Sequence, residues 1–431
     1  MNGTVMKVPF KKILPLFFLL LANSSFAAYL FIPMDNTQRD HLKAYGIAYW
    51  SLTKNVEIDW CLNYRGGSFA MVHSTTLENE CLIRGVSYEI IPEVKYNAIL
   101  LEIANPEYNA DVVKLEKAPK VAVYSPKNKQ PWDDAVTLVM AYAEIKYDVV
   151  YDEEIVNGAL PLYDWLHLHH EDFTGQYGKF WSSYRNQAWY QETQSLTEAM
   201  ATRLGFAKVS QMKLAVAKKI REFVAGGGFM FAMCAATDSY DIALAAENTD
   251  ICDVMFDGDP IDPNNQSKLN YTNGFAFKNY TLEENPSVYE FSNIDATNEH
   301  SDFVTMYGEE KDIFTLFDFS AKWDQVPTML CQDHVKVIKG FMGQTTSFRK
   351  EYLRSDVLVM GETPSLNSAK YIHGEFGNGT WTFYGGHDPE DHTHHVGDPP
   401  TDLKLHPNSP GYRLILNNVL FPAAKKKKRK T

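Results

Sequence analysis

Short apolar runs alternate along this chain with segments whose hydrophobic residues recur at helical spacing. Residues 29–34 are the first apolar run and read as a buried strand. Residues 37–54 follow with helical spacing behind Thr37, a candidate N-cap. Residues 56–64 alternate roughly between apolar and polar, Gly66-Gly67 supplies a turn, and Ser68–Val72 continues as an extended segment. Another helix and strand lead to about Pro106, so residues 28–117 are expected to form a small α/β domain.

A second series starts at Lys120. Val121–Tyr124 reads as a strand, and residues 132–145 have helical spacing with Asp133 and Asp134 in the first turn, where free N–H dipoles favour acids. Strands at 147–151 and 163–169 flank the turn Asn157-Gly158. Residues 209–224 are a well-patterned helix, Gly226-Gly227-Gly228 ends it, and Phe229–Met233 is almost wholly apolar. Such alternation predicts a parallel sheet covered on both faces, with ligands beyond the carboxyl ends of its strands. Residues 252–355 mix Asp, Asn, Pro and aromatic side chains with few periodic runs and read as an irregular insertion. Strands return at 357–360, 370–376 and 380–384, the last two joined by Gly377-Asn378-Gly379 as a hairpin, and a helix at 412–420 closes the pattern. The expected fold class is α/β, with a parallel-sheet three-layer domain over 118–424 after the smaller domain.

Composition narrows the function. The 431 residues are 45% hydrophobic, ample for conventional cores, and a net charge of -13 argues against nucleic acid as a partner. The basic run over 425–431 is expected to be a solvated tail. Near the start, Lys7, Lys11 and Lys12 precede an apolar stretch over 13–22, and Ser25 and Ala27 are small. This predicts a signal peptide over 1–27 and a periplasmic or secreted mature chain, the apolar run being too short for stable membrane insertion. Five cysteines (Cys61, Cys81, Cys234, Cys252 and Cys331) leave at least one unpaired. Cys61 with Cys81, or Cys252 with Cys331, are open as bridges, and Cys234 is a candidate free thiol. No phosphate-binding glycine fingerprint occurs.

Three segments resemble the class I glutamine amidotransferase-like superfamily, including its trehalose-utilisation-like branch. They are residues 163–169, the strand-turn Gly226-Gly-Gly-Phe-Met-Phe-Ala-Met-Cys-Ala-Ala-Thr-Asp238, and Trp381-Thr-Phe-Tyr-Gly-Gly-His-Asp-Pro-Glu390. The resemblance covers roughly residue 120 to the end and implies a flavodoxin-like fold. More narrowly, Ile32-Pro-Met-Asp35, Ala44-Tyr-Gly-Ile-Ala-Tyr-Trp50 and Asn63-Tyr-Arg-Gly-Gly67 resemble exported bacterial proteins labelled asparagine synthetase B. A synthetase of that kind would use an N-terminal cysteine for glutamine and a Ser-Gly-Gly-type loop for ATP, and the chain carries neither.

In the resembled superfamily the nucleophile is a cysteine on a tight strand-to-helix turn, and Cys234 occupies that place, flanked two residues away by Ala232 and Ala236. His387 stands where the superfamily places its base. Glu390 or Asp388 is the expected third member, although His387-Asp-Pro-Glu390 carries one residue more than the superfamily's His-Pro-Glu. The implied activity is hydrolysis of a small amide, with no cofactor required.

Two other readings stay open. His167, His169, His387 and His392, among neighbouring acids at one sheet edge, form a donor set suited to a divalent metal such as zinc, which would make the protein a metal-dependent hydrolase. Tyr177, Phe180, Trp181, Tyr184, Trp189 and Tyr190 could stack on a small-molecule, peptide or glycan ligand in a non-catalytic binding protein, or pack between the main domain and the insertion.

Overall fold

The computed structural model describes residues 28–424 apart from 129, 325, 327 and 332–334. The proposed signal segment and the basic tail thus lie outside the described residues. The first sheet contains β1 (Ala28–Ile32), β2 (Ile58–Leu62), β3 (Ser68–Val72), β4 (Glu89–Pro92) and β5 (Asp111–Leu115), in the order β4-β1-β3-β2-β5. All its pairings are antiparallel.

The second sheet contains β6 (Val121–Tyr124), β7 (Asp148–Val150), β8 (Trp165–His169), β9 (Phe229–Met233), β10 (Ile313–Leu316), β11 (Val337–Lys339), β12 (Phe348–Arg349), β13 (Leu358–Thr363), β14 (Ser368–Phe376) and β15 (Gly379–Tyr384). Its order is β11-β10-β13-β14-β15-β9-β8-β6-β7, with β12 paired to β14. The protein is therefore α/β with mixed sheets, not built on an all-parallel one. Strands β7, β6, β8, β9 and β15 run parallel, and from β15 outward every pairing is antiparallel. The reversal comes from the expected hairpin. Two residues, Gly377 and Asn378, join β14 to β15, and so short a link allows only an antiparallel neighbour. Strands β10 and β11 come from the segment expected to be irregular, because runs of four and three residues are too short to show a period.

Alternate residues of the parallel strands enter different cores. Val121, Val123, Trp165, Phe231 and Met233 pack with the helices His41–Thr53, Ala135–Tyr142 and Pro410–Leu420. Ala122, Leu166, Leu168, Met230 and Ala232 pack with Val209–Ala225, Asp238–Ala245 and the insertion's Phe275, Phe277 and Phe291. Asp241 pins the insertion there, its carboxylate accepting the N–H groups of Phe275, Ala276 and Phe277 at 2.8, 2.7 and 3.0 Å.

Helix starts differ from the sequence expectation where capping decides them. The first helix begins at His41, capped by Asp40, which accepts the Lys43 N–H; Thr37 instead bonds Asp35. The helix expected over 132–145 runs Ala135–Tyr142, capped by Asp134, which leaves Asp133 outside it. The helix Ala188–Arg203 was not legible because only Tyr190, Thr197 and Ala201 are buried along its 16 residues, too few to draw an apolar stripe. Cys61, Cys81 and Cys252 are buried free thiols, so neither candidate bridge forms. No helix among the described residues is long and apolar enough to cross a membrane.

The first helix packs closely on the end of Ala135–Tyr142 at Gly46. A Cβ there would lie 1.9 Å from the Ala143 carbonyl oxygen, so only glycine lets the first helix approach the end of Ala135–Tyr142 this closely. Gly46→Ala should cost about 1–3 kcal/mol of stability through overpacking, read as a lower urea midpoint; an unchanged midpoint would mean that the two helices separate freely.

Candidate active site

Register brings the site together. His169 at the end of β8 and Tyr384 at the end of β15 both pair with Met233, the last residue of β9. Cys234 and the turn 385–387 therefore leave the sheet at the same edge as His169. Cys234 has φ +53°, a left-handed conformation that costs a residue with a Cβ about 1–2 kcal/mol. It opens a short 3-10 turn, Cys234–Ala236, ahead of the helix Asp238–Ala245. Ala232 and Ala236 are fully buried, and their small side chains leave room for the bend.

The insertion closes over the thiol. Gln344 donates its backbone N–H to Cys234 Sγ at 3.3 Å, while its side-chain amide donates to Gly178 O at 2.7 Å and Tyr289 O at 2.9 Å. This loop lies directly on the turn carrying His387, since a Cβ on Gly343 would sit 2.8 Å from the His387 nitrogen. Lys370, buried on β14, donates to Phe341 O and Thr346 O, clasping both limbs of the loop, and burial pushes its ammonium down to about 7.

His387 is 6% exposed and lies beside Cys234 and Asp133, whose Oδ1 is 3.6 Å from Nε2. The same Asp133 oxygen is 2.9 Å from His394 Nε2, and His394 Nδ1 is 2.8 Å from Asp391. The distances between Asp133 and these two rings are those of ion pairs without aligned hydrogen bonds. Burial disfavours the His387 imidazolium, but Asp133 and the Cys234 sulfur outweigh it and push His387 up to about 10. Burial likewise opposes the Cys234 thiolate, yet His387 and the N–H groups of Gln344 and Ala235 bring this thiol below its ordinary range. Burial pushes Cys61 and Cys81 up to about 12, and Cys252 well above the ordinary thiol range.

The carboxylate beside His387 is thus Asp133, not Glu390 or Asp388. Asp388 is fully buried and structural: it accepts the Tyr412 hydroxyl at 2.8 Å, the Thr401 hydroxyl at 2.7 Å and the Glu390 N–H at 2.9 Å. Glu390 pairs with His406 at 3.0 Å. Both acids are thus turned toward the chain's C-terminal segment.

Of the histidines expected to hold a metal, His167 and His169 flank Asp134, each with a ring nitrogen 3.2 Å from its carboxylate. Burial would raise Asp134, but these two imidazoles hold it well below the carboxylate range. His392 lies elsewhere, pairing with Asp312 at 3.2 Å, and His300 holds the other oxygen of that carboxylate at 3.1 Å. His170 takes its place: ligand atoms of His169, His170 and His387 all lie within 4.8 Å of one another. Asp133, His387 and His394 make a second such group, and Asp134, His167 and His169 a third, so several clusters here have the geometry to hold a metal ion. Burial pushes His169 down to about 4 and His170 well below the usual imidazole range, keeping both rings neutral, as metal ligands must be.

The aromatic segment packs around Trp132, which stacks on Phe180 at 5.2 Å and meets Trp189 edge-on at 5.2 Å. Sequence reasoning placed Asp133 and Asp134 only as helix-dipole partners, and it missed the Gln344 loop altogether. The one signal for the acids was their doubling at a helix start, where one can cap and the other is released.

No family model matches the chain, and no curated protein matches it. Among solved structures it is similar to the cytoplasmic protein STM3548 from Salmonella typhimurium, at 12% identity and a TM-score of 0.34, covering 71% of this chain and 100% of that one. It is similar at the same TM-score and coverage, with 10% identity, to the cytoplasmic protein STM1381 from Salmonella typhimurium LT2. Likeness at this level assigns neither a fold family nor a function.

The contrast among the thiols is testable. Iodoacetamide on the folded protein should label Cys234 ahead of Cys61, Cys81 and Cys252, and His387→Ala should slow that labelling about tenfold or more. Peptide mapping by mass spectrometry reads both, and equal labelling of all buried thiols only on unfolding would remove the activated cysteine.

Proposed function

We propose that this protein is an exported hydrolase of small amides on a class I amidotransferase-like, flavodoxin-like framework, with Cys234 as nucleophile, His387 as acid and base, and Asp133 orienting the imidazole. The observation that carries this reading is the left-handed Cys234 turn, with its sulfur against both His387 and the Gln344 N–H. Such strain persists only where its surroundings hold it, and a sharp strand-to-helix turn is the setting a nucleophile requires.

The chemistry follows from these positions. The Cys234 sulfur attacks the amide carbonyl, and the oxyanion that forms takes the N–H groups of Gln344 and Ala235 that otherwise face the sulfur. His387 gives its proton to the departing amine as the C–N bond breaks, leaving a thioester on Cys234. His387 then takes a proton from water, whose hydroxide adds to the thioester; the C–S bond breaks, releasing the acid and restoring the thiolate–imidazolium pair. Asp133 stabilises the imidazolium without accepting its proton.

A second reading has its own observation. Both ring nitrogens of His169, Nδ1 of His170 and Nε2 of His387 are buried without an aligned hydrogen bond, an arrangement that is costly unless something binds them. Imidazoles backed by Asp133 and Asp134 suit zinc, with the carboxylates orienting the rings. A metal there would withdraw His387 from Cys234, so the two readings diverge.

Incubation with p-nitrophenyl acetate should leave an acetyl group on Cys234, visible by intact mass, and Cys234→Ser should abolish it. His387→Ala should lower turnover about 10²–10⁴-fold. On the thiol reading EDTA leaves the rate unchanged and added zinc inhibits. A rate lost to EDTA, restored by zinc and retained in Cys234→Ser would replace this reading with the metal-dependent one.

A further inference from the structure

Helix capping uses one acid of the adjacent pair and releases the other. Asp134 caps Ala135–Tyr142, whereas both oxygens of Asp133, a side chain 9% exposed, are buried without an aligned hydrogen bond. Two ring nitrogens in the same condition approach one of those oxygens: His394 Nε2 at 2.9 Å and His387 Nε2 at 3.6 Å, on side chains 3% and 8% exposed. Ligand atoms of all three residues lie within 4.8 Å of one another, and the two rings stack with their planes 18° apart. Buried polar groups are nearly always satisfied, so three that converge without satisfying each other mark a place where something binds them together.

The donor set says what binds. His394 Nδ1 is 2.8 Å from Asp391, a carboxylate that can only accept, so the ring proton sits on Nδ1 and the Nε2 lone pair points toward Asp133. A lone pair against a carboxylate oxygen is repulsive unless a cation stands between them, and a carboxylate behind the imidazole is the usual support of a metal-bound histidine. Zinc bonds of about 2.0–2.1 Å in tetrahedral geometry set ligand atoms about 3.3 Å apart, and the observed 2.9 and 3.6 Å lie on either side of that spacing. The neighbouring trio His169, His170 and His387 offers imidazoles alone, with no charge to offset a dication, and Asp134 is already shared by His167 and His169. Thr393 and His395, on either side of His394, are exposed, so this site lies just beneath the surface, where an ion can enter.

We propose that Asp133, His387 and His394 hold a divalent transition ion such as zinc, and that this ion switches the Cys234 chemistry off. Metal on Nε2 takes that nitrogen's lone pair and leaves the ring's single proton on Nδ1, so His387 has no lone pair left with which to take a proton from the thiol or from water. The regulatory meaning rests on the hydrolase reading above; the metal site itself does not.

Calorimetric titration of the full chain with zinc chloride should show one ion per chain. Asp391→Ala should weaken its binding about 10–100-fold, His394→Gln should weaken it at least as much, and Cys234→Ser should leave it unchanged. Cobalt(II) in place of zinc should give a tetrahedral visible spectrum without a thiolate charge-transfer band. With p-nitrophenyl acetate, saturating zinc should slow Cys234 acylation about 10²-fold or more, and EDTA should restore it. In His394→Gln, shown to be folded by circular dichroism, the rates with and without zinc should be equal, whatever their level. No bound zinc, binding undiminished in both His394→Gln and Asp391→Ala, a thiolate band, or zinc that accelerates acylation would each overturn the proposal. Zinc held through His394 in a protein that never acylates Cys234 would remove the hydrolase reading while the metal site stands; acylation that bound zinc leaves unslowed would do the reverse.

Discussion

The parallel register of β8, β9 and β15 is the constraint on which the candidate site depends. Because His169, Met233 and Tyr384 lie side by side, three segments distant in sequence leave the sheet within a few ångströms of each other. A slip of two residues in either pairing would move an imidazole about 6–7 Å along its strand and out of reach of the thiol. The cores on both faces prevent that slip, since alternate residues of each strand are committed to different helices.

A left-handed cysteine also has to be held. Here the insertion does it: Asp241 fixes its early part to the helix after Cys234, and Lys370 clasps the loop whose Gln344 N–H meets the sulfur. The segment with the weakest pattern in the sequence therefore supplies a donor to the Cys234 sulfur and a wall to the candidate site. Its many Asp, Asn and Thr side chains make sense on this view, since they satisfy loop backbone that no regular ladder satisfies, as Thr297 does for the N–H of Thr346.

Histidines and aspartates crowd the same edge, and their charges are mutually limiting. Asp133 and Asp134 each serve two imidazoles, while His169 and His170 stay neutral because burial and the neighbouring rings oppose further positive charge. His387 differs by standing between a carboxylate and a thiol. A wide cleft lined by Tyr64, Arg65, Phe317 and Lys336 among others touches none of these groups.

The sequence alone determined that this is an α/β protein, that Cys234 follows an apolar strand ending in small residues, and that His387 follows another. These features are local: strand periodicity, glycine turns and flanking alanines act through neighbours in the chain. Only the tertiary structure decided that the carboxylate beside His387 is Asp133, that Asp388 and Glu390 serve the C-terminal segment, that His170 and not His392 joins the imidazole cluster, and that Gln344 reaches the sulfur. Those pairings join residues tens to hundreds of positions apart, and which of two adjacent acids caps a helix and which faces a site depends on what packs over that helix. The hairpin β14–β15 shows the same division, since its turn was legible locally, whereas the parallel partner of β15 was chosen by the sheet it entered.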